Sequence, residues 1–285
     1  MSGISDDRVA HGYGRQACGH LSCLWLVDRG LLAGSDHCGK FYPDKATIIQ
    51  IDAEPTHIGR RHPVAIGAVG DIKTTLEALL PRLKQHEDSG FLSRHVERHR
   101  TDVASAKAET VSGSGAAVSG TYLTQIINQH AAEDALFAAD DGTATVWMLR
   151  YIDTGGKRRT FASLLQGTMA SGMGSALGLQ KCQPGRQVIY LAGDGGLTML
   201  LGDLLTTVQE KLPIKIVVYN NGKLGFVDIE QKAAGLVPVY TDLKNPNFGE
   251  VAKAVGLWGH MVSKAGNWRT PFEPGSHRPA QRCCM

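Results

Sequence analysis

The sequence has no long apolar run, no excess of one charge and few cysteines, and each absence excludes a class of protein. No stretch is long enough to span a membrane, and the first ten residues lack the charged start and apolar middle of a signal peptide. The 30 basic and 27 acidic residues give a net charge of +3 and are spread along the chain, without the like-charge blocks of nucleic-acid-binding arms. We therefore expect a cytoplasmic protein with no nucleic acid partner.

The cysteines and histidines also predict neither a disulfide framework nor a zinc site. The six cysteines are irregularly spaced, which fits neither a disulfide framework nor a CxxC metal knuckle in a chain without an export signal, so free thiols are expected. His95 and His99 in RHVERHR stand one helical turn apart and could face one zinc ion, but no third ligand stands nearby. A solvated basic helix face is the favoured interpretation.

Length and hydrophobic content favour two domains. The chain has 285 residues, of which 42% are hydrophobic, and its 34 glycines suggest many tight turns. TIIQID at 47–52 predicts a strand and 73–85 a helix, whereas the polar stretch that follows shows little apolar periodicity. The expected organisation is a first domain over 1–90, a linker over 91–118 and a second domain over 119–285, of which 264–285 is an aberrant tail rich in Pro, Arg and Cys.

Beyond the linker, apolar strands alternate with helices, which indicates a parallel sheet covered on both faces. Such sheets bind ligands at the carboxyl ends of their strands. The loops at those ends are DDGT at 140–143, GDGG at 193–196 and NNGKLG at 220–225. The predicted elements are helices over 122–132 and 198–212 and strands over 134–139, 187–193 and 214–220.

The two glycine-rich loops carry donors suited to a diphosphate bound through magnesium. Asp194 directly follows one apolar strand, and Asn221 follows the next, so their oxygens would meet if the strands are neighbours. The carbonyl of Lys223 could add a third hard oxygen, as magnesium prefers. Gly195 and Gly196 would leave backbone N–H groups free to approach phosphate.

The spacing of these loops distinguishes this interpretation from two alternatives. A GDG triplet alone is a common turn, but 27 positions separate Asp194 from Asn221, as in the thiamine diphosphate motif. The rival is a dinucleotide fold, in which TFASLL is a strand followed by the glycines of GMGSALG, with Asp194 bonded to a ribose. The dinucleotide interpretation gives no function to the NN turn, which begins with Asn220 and Asn221. The glycines could instead let their helix pack closely against neighbouring elements.

With these residues identified, the chain resembles the pyruvate oxidase and quinone-dependent pyruvate dehydrogenase branch of the thiamine diphosphate enzymes. The resemblance covers about 41–263 and implies two parallel-sheet α/β domains, an incomplete FAD-associated middle domain and a diphosphate-binding domain. The segments that carry it are FYPDKATIIQID, VGDIKTTLEALLP, DDGTATVWMLRY, GTMASGMGSALG, GDGGLTMLLGDLLTTVQEKLPIKIVVYNN and LGFVDIEQ.

The resemblance also implies roles for single residues. Asp194, Asn221 and the Lys223 carbonyl would ligate magnesium, and Met169 would support thiamine in its bent conformer, unless it is merely a core methionine. Asp52 would contact FAD, unless it only caps a strand end. The implied cofactor-binding residues are Gly34, Ser35, Asp36, Asp52, Gly167, Thr168, Met169, Gly193, Asp194, Gly195, Gly196, Asn221, Gly222, Lys223, Leu224, Gly225 and Phe226.

The implied reaction is oxidative decarboxylation of pyruvate, with electrons passed to FAD and then to a quinone or oxygen. Two alternatives stand beside it: a non-catalytic cofactor-binding remnant and an acetolactate synthase-like carboligase acting on 2-oxo acids. In the family, the glutamate that activates thiamine belongs to an N-terminal domain with no counterpart in this sequence. We therefore assign no catalytic residue and expect one wall of a site that a partner completes, in a family of homo-oligomers.

Three further departures from the family pattern affect these expectations. Gln166 stands where relatives often carry a histidine, and glutamine cannot relay a proton near neutral pH. The resemblance ends abruptly at both ends of the chain, over 1–33 and 264–285, which suggests altered reading frames. The C-terminal amphipathic segment of the quinone-reducing relatives has no match here, so membrane association is not expected.

Overall fold

The computed structural model is a mixed α/β protein with parallel sheets, which confirms the expected fold class. The chain divides into two compact units, Met1–Arg98 and His99–Met285. Among the described residues, no helix combines the length and hydropathy needed to cross a bilayer. The structure describes residues 23–26, 47–60, 63–84, 90–109, 118–164, 166–262 and 282–284.

The first unit contains a three-stranded parallel sheet in the order β1-β2-β3. Its strands are β1 (Cys23–Leu26), β2 (Ile48–Asp52) and β3 (Ile66–Val69). The strand predicted over 47–52 is confirmed as β2, which ends on its acidic residue. The β-branched residues of β2 are largely buried, as the apolar pattern requires.

Helix α1 (Ile72–Leu79) follows β3 and is shorter than the helix predicted over 73–85. Its N-terminus is capped by Asp71, whose carboxylate accepts a hydrogen bond of 2.9 Å from the Thr74 backbone N–H. The helix gives way to a 3-10 turn at Leu80–Arg82, because Pro81 has no N–H to donate and its ring disfavours a further α-helical turn. A 20-residue helix, α2 (Gly90–Glu109), then occupies much of the stretch predicted as a linker.

The second unit contains a six-stranded parallel sheet. Its strands are β4 (Leu136–Ala139), β5 (Arg159–Phe161), β6 (Val188–Gly193), β7 (Lys215–Tyr219), β8 (Trp258–His260) and β9 (Arg282–Cys284). Their order across the sheet is β5-β4-β6-β7-β9-β8. The three strands predicted in this half of the chain are confirmed as β4, β6 and β7. Strand β9 lies within the tail 264–285 and pairs with β7 and β8; it was not predicted because three residues are too few to show a period.

Helices cover both faces of this sheet, and each face has its own apolar core. In β6, Tyr190 and Ala192 pack into one core, whereas Ile189 and Leu191 pack into the other. Burial on both faces explains why these strands read as continuous apolar runs rather than as alternating patterns. The helices are α3 (Gly120–His130), α4 (Thr143–Tyr151), α5 (Ser171–Cys182), α6 (Asp194–Met199), α7 (Asp203–Gln209), α8 (Gly225–Ala233) and α9 (Phe248–Ala254).

The single helix predicted over 198–212 is wrong, because the structure forms two short helices there. Helix α6 begins earlier, at Asp194, and α7 begins at Asp203. Between them, the Leu200 N–H bonds to the Leu197 carbonyl and the Asp203 N–H to the Leu200 carbonyl, both in an i to i−3 pattern. Gly202 lies in this tight turn, where its low helix propensity favours a break.

Candidate functional site

The three predicted loops lie at one edge of the sheet in the second unit. Strand β6 pairs in parallel with β7, and Gly193 lies opposite Tyr219. Strand β4 flanks β6 on the other side, with Ala139 opposite Leu191. The loops after β4, β6 and β7 therefore begin side by side, as predicted for neighbouring parallel strands.

Asp194 lies where these loops converge, and its carboxylate is almost fully buried, with 3% of the residue exposed. Its Oδ1 accepts a hydrogen bond of 2.8 Å from the Gly195 N–H. Its Oδ2 accepts one of 2.7 Å from the Gly222 N–H and one of 2.8 Å from the Asn245 side chain. Two loops and a more distant segment thus hold one carboxylate in a single orientation.

The turn after β7 is also well ordered by hydrogen bonds. Asn221 Oδ1 accepts a hydrogen bond of 3.0 Å from the Lys223 N–H. The Lys223 ammonium lies 3.0 Å from an Asp242 carboxylate oxygen and 3.7 Å from one of Asp228. Asp242 and then Asp228 raise the pKa of Lys223 through hydrogen bonding and charge. The Lys223 side chain is therefore engaged in ion pairs, and only its main-chain carbonyl suits the predicted ligand role.

The glycines of the GDGG loop differ in what surrounds them. A Cβ at Gly195 would lie 2.7 Å from Leu224 Cδ2 and 3.2 Å from Met169 Cε, and a Cβ at Gly196 would overlap the Asp140 carboxylate. At Gly193, by contrast, no atom lies within 4 Å of the corresponding position. The loop is therefore packed tightly along one side and open at its first residue.

The predicted triplet Gly167, Thr168 and Met169 lies in a turn directly beside this loop. Gly167 has a left-handed φ of 60° and donates its N–H to the Ser163 carbonyl at 2.8 Å. Ala170 follows with a φ of 64°, which is unusual for a residue with a Cβ. This turn places the Met169 methyl group against Gly195, so the structure brings the two predicted segments together.

The segment that opens α8 approaches the NN turn closely. Gly222 has a left-handed φ of 67°, and a Cβ at Gly225 would lie 2.7 Å from the Asn221 side-chain nitrogen. Leu224 reaches Gly195, whereas 39% of Phe226 is exposed. A cavity of about 590 Å³ lies beside this segment, and the residues that line it include Thr143, Trp147, Asn220, Asn221, Lys223 and Gly225.

Asp140 is a buried acid at this edge to which the sequence analysis assigned no role. Its carboxylate accepts hydrogen bonds of 2.6 Å from the Tyr190 hydroxyl and 3.1 Å from the Gly172 N–H. Burial raises the pKa of Asp140 to about 6, although bonds from Tyr190, Gly172 and Gly193 oppose the shift. The sequence signal that could have identified Asp140 is its position in the DDGT loop, directly after an apolar strand.

Asn245 is the second residue that sequence reasoning missed. It lies 51 positions beyond Asp194 and reaches back to that carboxylate. Its side-chain nitrogen also donates to Asn220 Oδ1 at 2.8 Å. No local pattern marks it, because only the folded chain brings it to the strand ends.

In the first unit, Asp52 is also buried, but its contacts are local. Its Oδ1 accepts a hydrogen bond of 2.9 Å from the Glu54 N–H and lies 3.4 Å from His57 Nδ1. These contacts are those of an acid that caps a strand end. The predicted loop Gly34, Ser35 and Asp36 lies outside the described residues.

The structure gives no support to the zinc-site and dinucleotide-fold alternatives in the residues that it describes. In the part of the chain that is described, no three His, Cys, Asp or Glu residues cluster to hold a metal ion. The dinucleotide alternative needs β5 and β6 as neighbours around one helix, but β4 lies between them. Gly172 packs against Tyr190 and the end of β4, as close helix packing requires, whereas Gly174 and Gly178 face open space.

Two domains of one enzyme family match the sequence of this chain. Residues 140–272 match the thiamine pyrophosphate enzyme C-terminal TPP binding domain, and residues 30–79 match the central domain of the same enzymes. The chain belongs to the thiamine pyrophosphate enzyme family. Both matches run beyond the resemblance seen over 41–263, and the GDGG loop, the NN turn and Asp140 all lie within the TPP binding domain.

Individual members of this family are similar at low identity. The Bacillus subtilis protein YdaP is 31% identical over 240 residues, covering 83% of this chain and 41% of its own length. Pyruvate oxidase of Lactiplantibacillus plantarum is 27% identical over 238 residues, with 82% and 39% covered. The acetolactate synthase large subunit of Porphyra purpurea is 27% identical over 245 residues, with 82% and 40% covered.

A solved structure gives the same fold. Thiamine diphosphate-dependent 4-hydroxybenzoylformate decarboxylase of Rhodococcus jostii RHA1 superposes with a TM-score of 0.71 at 21% identity, covering 92% of this chain and 48% of the decarboxylase. The present chain spans about 40% of the length of the curated relatives it matches. The shared part comprises the central and TPP binding domains of the family.

Proposed function

We propose that the second unit binds the diphosphate of thiamine diphosphate through magnesium. Asp194, Asn221 and the Lys223 carbonyl act as the protein ligands of the metal, and Gly193, Gly195 and Gly196 form the diphosphate cradle. One observation carries this proposal: the buried Asp194 and the turn containing Asn221 lie at the ends of two adjacent parallel strands.

The donors present fit a magnesium diphosphate. Carboxylate, amide and carbonyl oxygens are the hard ligands that magnesium prefers. Within the described part of the chain, Asp194 Oδ1 accepts one hydrogen bond, so it keeps capacity for a cation. Gly195 and Gly196 have no room for a Cβ, whereas the Cβ side of Gly193 faces open space that a phosphate can enter.

The residues around this loop would hold the rest of the cofactor. Met169 lies against Gly195 and would support the thiamine rings, with Gly167 and Thr168 in the same turn. Gly222, Leu224, Gly225 and Phe226 belong to the segment between the NN turn and α8. When bound, thiamine diphosphate supplies the electron sink for decarboxylation of a 2-oxo acid.

We further infer that the reaction is oxidative decarboxylation of pyruvate, in a complete assembly that supplies the activating glutamate. The similarity to pyruvate oxidase supports it, with FAD contacted by Asp52 and by Gly34, Ser35 and Asp36, and a quinone as electron acceptor. Acetolactate-type carboligation is the second candidate, because an acetolactate synthase subunit is equally similar at 27% identity. A homo-oligomer is the proposed assembly.

The metal-ligand assignment is tested by calorimetric titration of the full chain with magnesium thiamine diphosphate. Asp194→Ala removes the only carboxylate among the proposed ligands, and we expect its affinity to fall by about 100-fold or more, because a lost ligand exceeds the 10–100-fold effect of a lost supporting residue. Asp203→Ala, at the start of the next helix, is the matched control and should bind like the unaltered chain. Equal affinity of all three proteins would exclude Asp194 as a ligand.

The reaction type is tested separately, with pyruvate, magnesium, thiamine diphosphate and FAD supplied to the chain. Reduction of an artificial electron acceptor would support pyruvate oxidation, and formation of acetolactate would support the carboligase. Because the activating glutamate is not assigned to any residue of this sequence, we expect neither product from this chain alone. Turnover by the isolated chain would contradict that expectation.

A further inference from the structure

Asn245 connects three parts of the chain that meet at the candidate metal site. Its side-chain nitrogen donates to Asp194 Oδ2 and to Asn220 Oδ1, both at 2.8 Å. A carboxylate can only accept hydrogen bonds, so the Asn245 atom that faces Asp194 must be the nitrogen, and the orientation of the amide is determined. One amide group therefore links the loops after β6 and β7 to the segment before α9.

The two oxygens of the Asp194 carboxylate are not equivalent as a result. An ionised carboxylate has about two acceptor sites on each oxygen. On Oδ2, Gly222 and Asn245 supply two donors, which fill its sites. On Oδ1, the Gly195 N–H is the one donor from the described residues, which leaves one site. The hydrogen bonds therefore leave Oδ1 as the oxygen that can meet a cation.

The segment that carries Asn245 is itself fixed to the NN turn. The Leu243 N–H donates to the Gly222 carbonyl and the Leu224 N–H to the Thr241 carbonyl, both at 2.8 Å. Lys223 and Asp242 form an antiparallel bridge between these hydrogen bonds. The donor nitrogen of Asn245 is therefore held relative to Asp194 by backbone pairing rather than by a flexible surface loop.

We propose that Asn245 is a positioning residue that locks the Asp194 carboxylate for one-oxygen ligation of magnesium. This inference rests on the proposed function of the site. Magnesium demands a near-ideal octahedron, whereas calcium accepts flexible and bidentate carboxylates. A carboxylate locked through Oδ2 favours magnesium, and a carboxylate free to rotate would favour calcium relative to magnesium.

The test compares the affinities of magnesium and calcium for the full chain in the presence of thiamine diphosphate. In Asn245→Ala we expect magnesium affinity to fall by about 10- to 100-fold, as is usual when a residue that orients a metal ligand is lost. Calcium affinity should fall by less, so the magnesium-to-calcium affinity ratio decreases. Asn245→Leu, which has a similar volume but no donor, should behave like the alanine variant.

Asn247→Ala is the control for a purely structural effect, because Asn247 caps helix α9 by accepting from the N–H groups of Gly249 and Glu250. Its melting temperature should fall while the ratio stays unchanged. An unchanged ratio in both Asn245 variants, with the unaltered chain binding magnesium, would overturn this inference alone. If the unaltered chain binds neither cation with thiamine diphosphate, the proposed function itself fails.

Discussion

The two units each bury an acidic residue at the end of a parallel strand, yet the two acids are held in different ways. Asp52 and Asp194 are both 3% exposed. The Asp52 carboxylate contacts Glu54 and His57, within five positions along the chain. The Asp194 carboxylate, in contrast, receives donors from Gly222 and Asn245, 28 and 51 positions away. Burial therefore does not distinguish the two acids, whereas the distance along the chain to their hydrogen-bond donors does.

The largest expected effect is a pH dependence of the free energy of unfolding that comes from Asp140 in the second unit. Asp140 has its pKa raised from 3.8 to about 6 by burial, so between these pH values the folded chain keeps a proton that the unfolded chain has released. The contribution of Asp140 to the free energy of unfolding should therefore fall as pH rises from 4 to 6 and then level off. At about 1.4 kcal/mol per pH unit, Asp140 lowers it by about 3 kcal/mol.

Asp140→Asn cannot release this proton and should remove the Asp140 contribution to the slope of the free energy of unfolding against pH. We expect its free energy of unfolding, relative to the unaltered chain, to rise by about 3 kcal/mol between pH 4 and pH 7, measured by hydrogen exchange of the β6 amides. In the first unit, Asp71 has its pKa lowered, mainly by the Thr74 backbone N–H, so Asp71→Asn should not remove the slope. Parallel pH curves for the unaltered chain and Asp140→Asn would contradict the raised pKa.

The next effect concerns crowding at the strand ends. In Gly196→Ala, the new methyl group would overlap the Asp140 carboxylate, and we expect a loss of about 2 kcal/mol in stability together with weaker binding of magnesium thiamine diphosphate. Gly70→Ala, after β3 in the first unit, is the matched control because its methyl group would lie 3.4 Å from Thr75 Oγ1, an ordinary contact. Its stability should change by less than about 1 kcal/mol.

These two glycine variants are compared by thermal unfolding and by calorimetric titration. Equal stability losses would mean that the two strand ends are equally crowded. Unchanged cofactor affinity in Gly196→Ala would argue against the close-packed cradle, because the overlap with Asp140 can be relieved only if the loop or the carboxylate moves.

The same contrast explains how much the sequence could predict. Strands β4, β6 and β7 and the loops at their ends were predicted because apolar runs and glycine-rich turns are local patterns. The sequence left open whether β6 and β7 are neighbours, and the structure pairs them, with Asp194 directly after β6 as the pattern indicates. Elements that are determined by a few neighbouring residues could therefore be predicted from the sequence.

What was missed depends on contacts between distant residues. Asn245 carries no local signal, since its partners are Asn220 and Asp194. The break near Gly202 was overlooked because the apolar pattern continues across it, while the hydrogen bonds change to an i to i−3 pattern. The role of Asp140 required knowing that Tyr190 and Gly172 approach it from other elements.

The smallest effect tests whether Asp52 is more than a local cap. Asp52→Ala removes the acceptor of the Glu54 N–H, and we expect a loss of about 1 kcal/mol in stability. The affinity for magnesium thiamine diphosphate should stay within about twofold of the unaltered chain, because the second unit supplies all proposed ligands. If Asp52 contacts FAD as proposed, FAD affinity should fall as well, measured by flavin fluorescence.

Asp71→Ala is the matched control for this last comparison, because it removes another cap of the same unit, the acceptor of the Thr74 N–H. It should cost about as much stability and leave FAD affinity unchanged. Equal FAD affinities in the two variants would limit Asp52 to the capping role that its contacts with Glu54 and His57 already explain. A loss of FAD affinity in Asp52→Ala alone would instead show that an acid with only local hydrogen bonds can also bind a ligand. Asp52 and Asp194 would then differ less in function than their contacts indicate.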